Sequence, residues 1–247
     1  MTKRSPRGTR ARAAAASEAP EPVRREWLRR VEAEYGSAAI TGQLVHWLIQ
    51  LAAPPALIRQ GLRIVADELR HAELSDRVYR AAGGMQAAAL SRERLQLARS
   101  EAPLEHDVTR IVLQVYCLGE TAAVRLFHRL RAACSVPVAR VALDRVLRDE
   151  VRHREFGWLA LQWLLDLPDA ATRRSEIQRA LPQLLAGLRA NYGGHDAPEP
   201  QRSAAALPAS VRAWGLMVRE DYRKAIELCV ERDLRPRFER LDILLPA

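Results

Sequence analysis

The sequence predicts an all-α protein: four long helices in two antiparallel hairpins joined by a long crossover, with additional helices at the C-terminus. Three observations carry this expectation. Apolar residues recur at helical spacing almost without a break from about Val23 onward. The interruptions are few and sharp, at Pro54-Pro55, Gly83-Gly84 and Pro137. Ala, Leu and Arg dominate, aromatics make up only 5%, and no stretch alternates Val, Ile and Thr as a strand would.

Each element follows from its punctuation. The first helix is expected from about Val23 to Ala52, stopped by Pro54-Pro55. Pro55 suits the first turn of a second helix that runs to about Ala82. So short a break between long helices makes an antiparallel hairpin. A third helix should start near Glu105, where Glu105 and Asp107 favour the positive end of the helix dipole, and continue to about Ala133. Pro137 opens a fourth, ended by Pro168, and completes a second hairpin. Helices of this length span ~40 Å. The connector from Gly83 to Leu104 can stretch to ~65 Å, so it can cross the bundle, with a short helix expected around Ser91–Ser100. The tail should add a helix near Ala171–Ala190, a linker from Gly193 to Pro208, and a last helix from about Ser210 to Asp233. The organisation expected is a disordered basic arm (1–22), a four-helix bundle (23–168) and a helical extension packed on it (169–247).

The net charge of +9 is concentrated at the start of the chain. Residues 1–25 hold seven basic residues against Glu18 and Glu21, which is +5 and leaves about +4 for the body. The arm, rich in Ala, Pro, Ser and Arg, reads as a solubilising tail rather than a contact for nucleic acid or an acidic partner. It lacks the apolar core of a secretory signal, and no segment approaches a membrane span. Cys117, Cys134 and Cys229 are isolated, which excludes a CxxC metal module and suits a reducing cytoplasm.

The chemistry lies in a repeat. Asp67-Glu68-Leu69-Arg70-His71-Ala72-Glu73-Leu74 and Asp149-Glu150-Val151-Arg152-His153-Arg154-Glu155-Phe156 both read D-E-[LV]-R-H-x-E-[LF]. Residues three apart share a helix face, so each copy presents a Glu and a His together. A two-metal site in a bundle takes such a pair from two helices and one carboxylate from each of the others. Glu120 is the only charged residue between Arg110 and Arg125, and Glu34 is followed by no charge until Arg59. An unpaired carboxylate in an apolar stretch costs several kcal/mol to bury, so each needs a partner. Glu34 and Glu68 lie 34 positions apart, and Glu120 and Glu150 lie 30 apart. Each separation is one hairpin, which brings the two carboxylates to the same height. Four glutamates carry −4, which two divalent cations would balance with His71 and His153 neutral. Oxygen-plus-imidazole ligation suits iron or manganese.

Asp67 and Asp149 have two readings: orienting the opposite histidine, or pairing with Arg63 or Arg145. Arg70 and Arg152 are expected to face outward, Tyr116 and Cys117 to be core, and His46, Trp47, Trp158 and Trp163 to be packing or surface residues. His128 and His195 have no partners at ligand spacing.

Glu34-Tyr35-Gly36-Ser37-Ala38-Ala39-Ile40, the two DExRH segments and Leu118-Gly119-Glu120-Thr121-Ala122-Ala123 resemble the four helices of ferritin-like di-iron carboxylate proteins. The likeness is to bacterial ferritin-like domain proteins whose first helix reads E-H-A-S-V-A-A-F and whose third reads G-E-T. It covers about Trp27 to Leu165 and places Tyr35 where that pattern has His. It implies Glu34, Glu68, His71, Glu120, Glu150 and His153 as ligands of two iron ions, with manganese as the alternative metal.

The function expected on this basis is an O₂- or peroxide-using oxidase or hydroxylase of a small molecule, with a separate electron donor or the substrate supplying electrons. The glutamates and histidines would be ligands rather than acid–base catalysts, and no cofactor beyond the metal is implied. Alternatives are a ferroxidase, a dimanganese peroxide-dismutating enzyme, and a non-catalytic helical binding protein. The Ala-rich helix surfaces would permit a homodimer.

Overall fold

A computed structural model describes residues 18–193 and 207–246, and all regular structure in them is helical. The arm at residues 1–17, most of the expected linker, and His195 lie outside the described residues. Helix α1 is Glu21–Gln50, with Pro22 in its first turn, and Ala52 (φ 53°) turns the chain after it. Helix α2 is Pro55–Ala81, with Pro55 at its first position and Gly83 (φ 91°) as the left-handed residue beyond its end. The crossover holds only one 3₁₀ turn, Arg92–Leu95. Helix α3 runs through three contiguous segments: α-helical Leu104–Ile111, π-helical Val112–Glu120 and α-helical Thr121–Ala133. Helix α4 is Pro137–Leu165 and α5 is Ala170–Gly193. Helix α6 is the short Ala209–Arg212, and α7 comprises Arg219–Cys229, π-helical Val230–Leu234 and Arg235–Glu239.

Two expectations change. The first helix starts at Glu21, and Ala19 is already buried with its N–H bonded to Ala82 O, so the chain is anchored before residue 22. The single last helix expected over Ser210–Asp233 is broken between Arg212 and Arg219, where Gly215 adopts φ 77°. That turn is used: Trp27 Nε1 donates to Trp214 O at 3.1 Å, and Arg30 Nη2 donates to Gly215 O at 2.9 Å.

Contacts between helices give their directions. Ala19 meets Ala82 and Ser37 meets Glu68, so α1 and α2 are antiparallel. Asp67 meets Arg152 while His71 meets Asp149, which sets α2 against α4 in opposite sense. Cys117 meets Gly157 and Arg131 meets Asp144, which does the same for α3 and α4. Helix α7 is fixed to this group by Arg125–Asp233 (2.5 and 2.9 Å), by Arg237–Glu155 (2.9 Å) and by Phe238 edge-on against Trp158. Leu161, Leu164, Ile177, Leu181, Ile226 and Phe238 are at most 1% exposed and belong to one apolar cluster. The C-terminal helices are therefore continuous with the core of the long ones. Among the described residues, no helix is long and apolar enough to cross a membrane.

Candidate metal centre

All six residues singled out by the sequence converge in the interior. Glu34 lies on α1, Glu68 and His71 on α2, Glu120 at the last position of the π segment of α3, and Glu150 and His153 on α4. Each is buried, with both histidines fully so. Glu68 spans the two histidines: Oε2 is 3.5 Å from His71 Nδ1 and Oε1 is 3.3 Å from His153 Nδ1. Glu150 spans them from the other side at 3.9 and 3.5 Å. Glu34 completes the His71 side at 3.7 Å, and Glu120 joins Glu68 and His153 in a second group. In each group the donor atoms lie within 4.8 Å of one another, so each can hold a metal ion.

Nδ1 of both histidines and Oε2 of Glu68 and Glu150 are buried without a hydrogen-bond partner. Leaving such atoms unpaired costs about 1–3 kcal/mol each, more when charged. These four atoms are ones that would ligate a cation, so the donor set fits the metal it implies; His153 Nε2 is likewise buried without a partner.

The outer nitrogens look the other way. His71 Nε2 is 3.2 Å from Asp149 Oδ2, and His153 Nε2 is 3.6 Å from Asp67 Oδ2. Asp149 thus serves the histidine of the opposite helix, one reading the sequence left open, whereas Asp67 lies near His153 without a hydrogen bond to it. Asp149 also accepts from Arg145 Nε at 2.5 Å, so the two readings coexist at that residue. Arg152, expected to face outward, instead bonds Asp149 (2.6 Å) and Asp67 (2.9 Å). Arg145 and Arg152 together serve both aspartates, whereas Arg63 and Arg70, their counterparts on α2, are exposed.

The electrostatics are those of crowded carboxylates in a dry site. Burial pushes Glu34, Glu120 and Glu150 up, Glu150 to about 8, with neighbouring glutamates adding to the shift. Burial also acts on Glu68, but the flanking His153 and His71 outweigh it and hold its carboxyl well below the usual range. His71 is pushed up to about 12 because Glu34 and Glu68 overcome its own burial, and His153 rises for the same kind of reason. Without metal, burial and crowding favour the protonated forms of the histidines and of Glu34, Glu120 and Glu150.

Several participants carried no signal in the sequence. Ser37 Oγ donates to Glu68 Oε1 at 3.1 Å and steadies the carboxylate that touches both histidines. The π winding ahead of Glu120 is invisible in a largely apolar stretch, though such segments recur at functional sites. Tyr116, fully buried, shares a 2.6 Å hydrogen bond with Thr41 and packs edge-on against Phe156. Cys117 donates to Gly157 O, so both are core, as expected. Tyr35 is 39% exposed, so the departure from the His of the resembled pattern does not touch the site. His46 is exposed and Trp47 buried, and Trp158 packs on Phe238.

A cavity of about 1030 Å³ borders the centre, with Glu34, Glu68, Glu120 and Glu150 in its wall. The π segment and α3 beyond it, from Leu113 to Leu130, form one side, and α5, from Glu176 to Asn191, the other. Its lining is mainly apolar, and its volume is at the upper end for a small-molecule site. No protein-family model, curated protein or solved structure matches the chain.

Proposed function

We propose that this chain is a ferritin-like di-iron carboxylate protein that uses O₂ or peroxide to oxidise or hydroxylate a small, largely apolar molecule. The observation that carries the reading is the set of buried, unpartnered ligand atoms of Glu68, His71, Glu150 and His153 beside an apolar cavity. Glu34, Glu68 and His71 would hold one ion, and Glu68, Glu120 and His153 the other, with Glu150 reaching toward both histidines. Two bound irons supply the redox chemistry with which O₂ is reduced. The protein's own share is positional. Asp149 orients the His71 imidazole, Arg145 and Arg152 fix that aspartate, and Ser37 fixes Glu68. The mainly apolar walls leave room for a substrate. That lining has no use if Fe(II) is the substrate, which ranks iron handling second.

The test is anaerobic loading with Fe(II) followed by O₂. Two Fe(II) per chain should be oxidised and retained, with continued O₂ uptake only when a reductant and an apolar substrate are supplied. Iron accumulating well beyond two per chain would favour iron handling, and peroxide disproportionation by the manganese-loaded form alone would favour the dimanganese reading. Absence of any reaction with the metal bound would refute the oxidase.

A further inference from the structure

The face of the bundle formed by α2 and α4 has the outer nitrogens of the histidines on its inner side and a band of arginines on its outer side. Arg59, Arg63, Arg70 and Arg77 follow one another along α2 at intervals of four, seven and seven residues, which keeps them on one stripe about 27 Å long. All four are exposed, and among the described residues none makes a hydrogen bond or an ion pair. Arg63 and Arg70 flank Asp67, which Arg145 and Arg152 reach from α4, so the stripe runs beside the seam between the two helices.

On α4, Val141, Arg145, Arg148, Arg152 and Leu159 fall on a matching stripe, with Val141 and Leu159 63% and 53% exposed. The carboxylates on the outside of these two helices do not neutralise the arginines. Asp76 is paired with Arg80, Asp144 with Arg131, and Glu155 with Arg154 and Arg237, which among the described residues leaves only Glu73. Arg145 and Arg152 are matched by the buried Asp67 and Asp149, and they lead inward. Arg152, its side chain 39% exposed, donates to Asp149 Oδ1 at 2.6 Å, and Asp149 Oδ2 is 3.2 Å from His71 Nε2. An exposed guanidinium is thus two hydrogen bonds from the imidazole. The cavity wall holds all four glutamates and, among the described residues, neither histidine, so the cavity and the arginine face approach the centre from different sides.

We propose that the face formed by α2 and α4 docks an acidic one-electron carrier protein, which supplies the oxidase with electrons by way of Arg152, Asp149 and His71 while the cavity holds the substrate. The inference names a partner for the same centre and rests on the oxidase reading for its purpose. Each encounter passes one electron from the reduced carrier to a ferric ion of the pair, so the carrier is oxidised and the ion reduced, with no bond made or broken. Complementary charge steers the encounter and fixes its orientation. Arginine beside exposed aliphatic side chains suits a protein interface, where arginine is enriched around apolar contacts. A nucleic-acid strand would leave Val141 and Leu159 uncovered, and among the described residues it would find no exposed aromatic side chain on α2 or α4 on which to stack a base.

The probe is an acidic plant-type ferredoxin, mixed in its oxidised form with the ferric, iron-loaded protein so that calorimetry reads binding without reaction. Wild type should bind at low ionic strength and lose affinity as salt is raised. Arg63→Glu/Arg70→Glu should weaken binding by about tenfold or more, since like charges then face each other. Arg92→Glu/Arg94→Glu, the same change of charge on the exposed turn of the crossover, should leave it nearly unchanged. Iron content, measured on the same samples, should be equal in all three proteins. Reduction of the iron by reduced ferredoxin should slow in the first variant in step with binding, whereas reduction by dithionite, which needs no docking, should not change. No binding at low salt, or an equal loss in the two double variants, would overturn the docking surface. So would a single-stranded oligonucleotide that binds more tightly than ferredoxin and is released by Arg63→Glu/Arg70→Glu. A wild type that takes up no iron would instead overturn the oxidase reading.

Discussion

Gly157 sits where α4 crosses the π segment, one turn beyond His153 and against the backbone one turn before Glu120. A Cβ there would lie 2.5 Å from Tyr116 Cβ, 2.9 Å from Tyr116 C and 3.1 Å from Cys117 N. Two of these three atoms are backbone, so relief requires α3 and α4 to separate. Overpacking a buried site costs about 1–3 kcal/mol, and backbone contacts put this case at the upper end. Replacing a mid-helix glycine by alanine returns about 0.5–1 kcal/mol. The steric term wins, and Gly157→Ala should destabilise by about 2 kcal/mol net, a fall in Tm of roughly 4–8 °C for a chain of this size. Gly36, in the middle of α1, has nothing within 4 Å of its Cβ position. Gly36→Ala keeps only the propensity gain and should stabilise by about 0.5–1 kcal/mol. The assay is thermal and urea unfolding of the metal-free proteins, with metal content measured alongside. Because the displaced helices carry Glu120 and His153, Gly157→Ala should also bind metal more weakly. A Gly157→Ala protein as stable as Gly36→Ala would refute the close approach of α3 and α4.

Asp149→Asn removes the negative charge that His71 Nε2, Arg145 and Arg152 share, and metal affinity should fall about tenfold to a hundredfold while the protein stays folded; competition with a chelator of known affinity reads this directly. Metal loading should release protons, since the metal-free site holds His71 protonated and raises Glu150 to about 8. Calorimetry in buffers of different ionisation enthalpy counts these protons, and apparent affinity should rise with pH. The depressed Glu26 carboxyl contributes stability that is present above its ordinary value of 4.5 and lost as pH falls toward about 2. Glu26→Gln should therefore cost up to about 3 kcal/mol at pH 7 and somewhat under half of that near pH 3, read as the difference between the two unfolding curves.

The parts of the fold that were legible in the sequence are those written in punctuation and periodicity. Pro55 and Pro137 mark helix starts because proline lacks the N–H that a first turn leaves unused, and both helices begin there. The six candidate ligands were legible because a carboxylate isolated in apolar sequence has to find a partner, and Glu34 and Glu120 find theirs beside His71 and among Glu68 and His153. What stayed hidden depends on which side chains meet across helices. The two DExRH copies are symmetric in sequence, yet only Arg145 and Arg152 reach the aspartates, because two guanidiniums suffice for both carboxylates. The π winding of Val112–Glu120 leaves no trace in residue type. Arg30, in a run of charged residues before Glu34, is buried by the turn at Gly215, 185 residues away.

The central claim is tested most directly by metal stoichiometry in protein reconstituted anaerobically with Fe(II), with Glu68→Ala/Glu150→Ala carried in parallel and helicity checked for both. The account expects two irons per chain in the wild type and none retained by the double variant, whose carboxylates are the ones that reach both histidines. A folded wild type that binds no metal, or a double variant that keeps two ions, would contradict it.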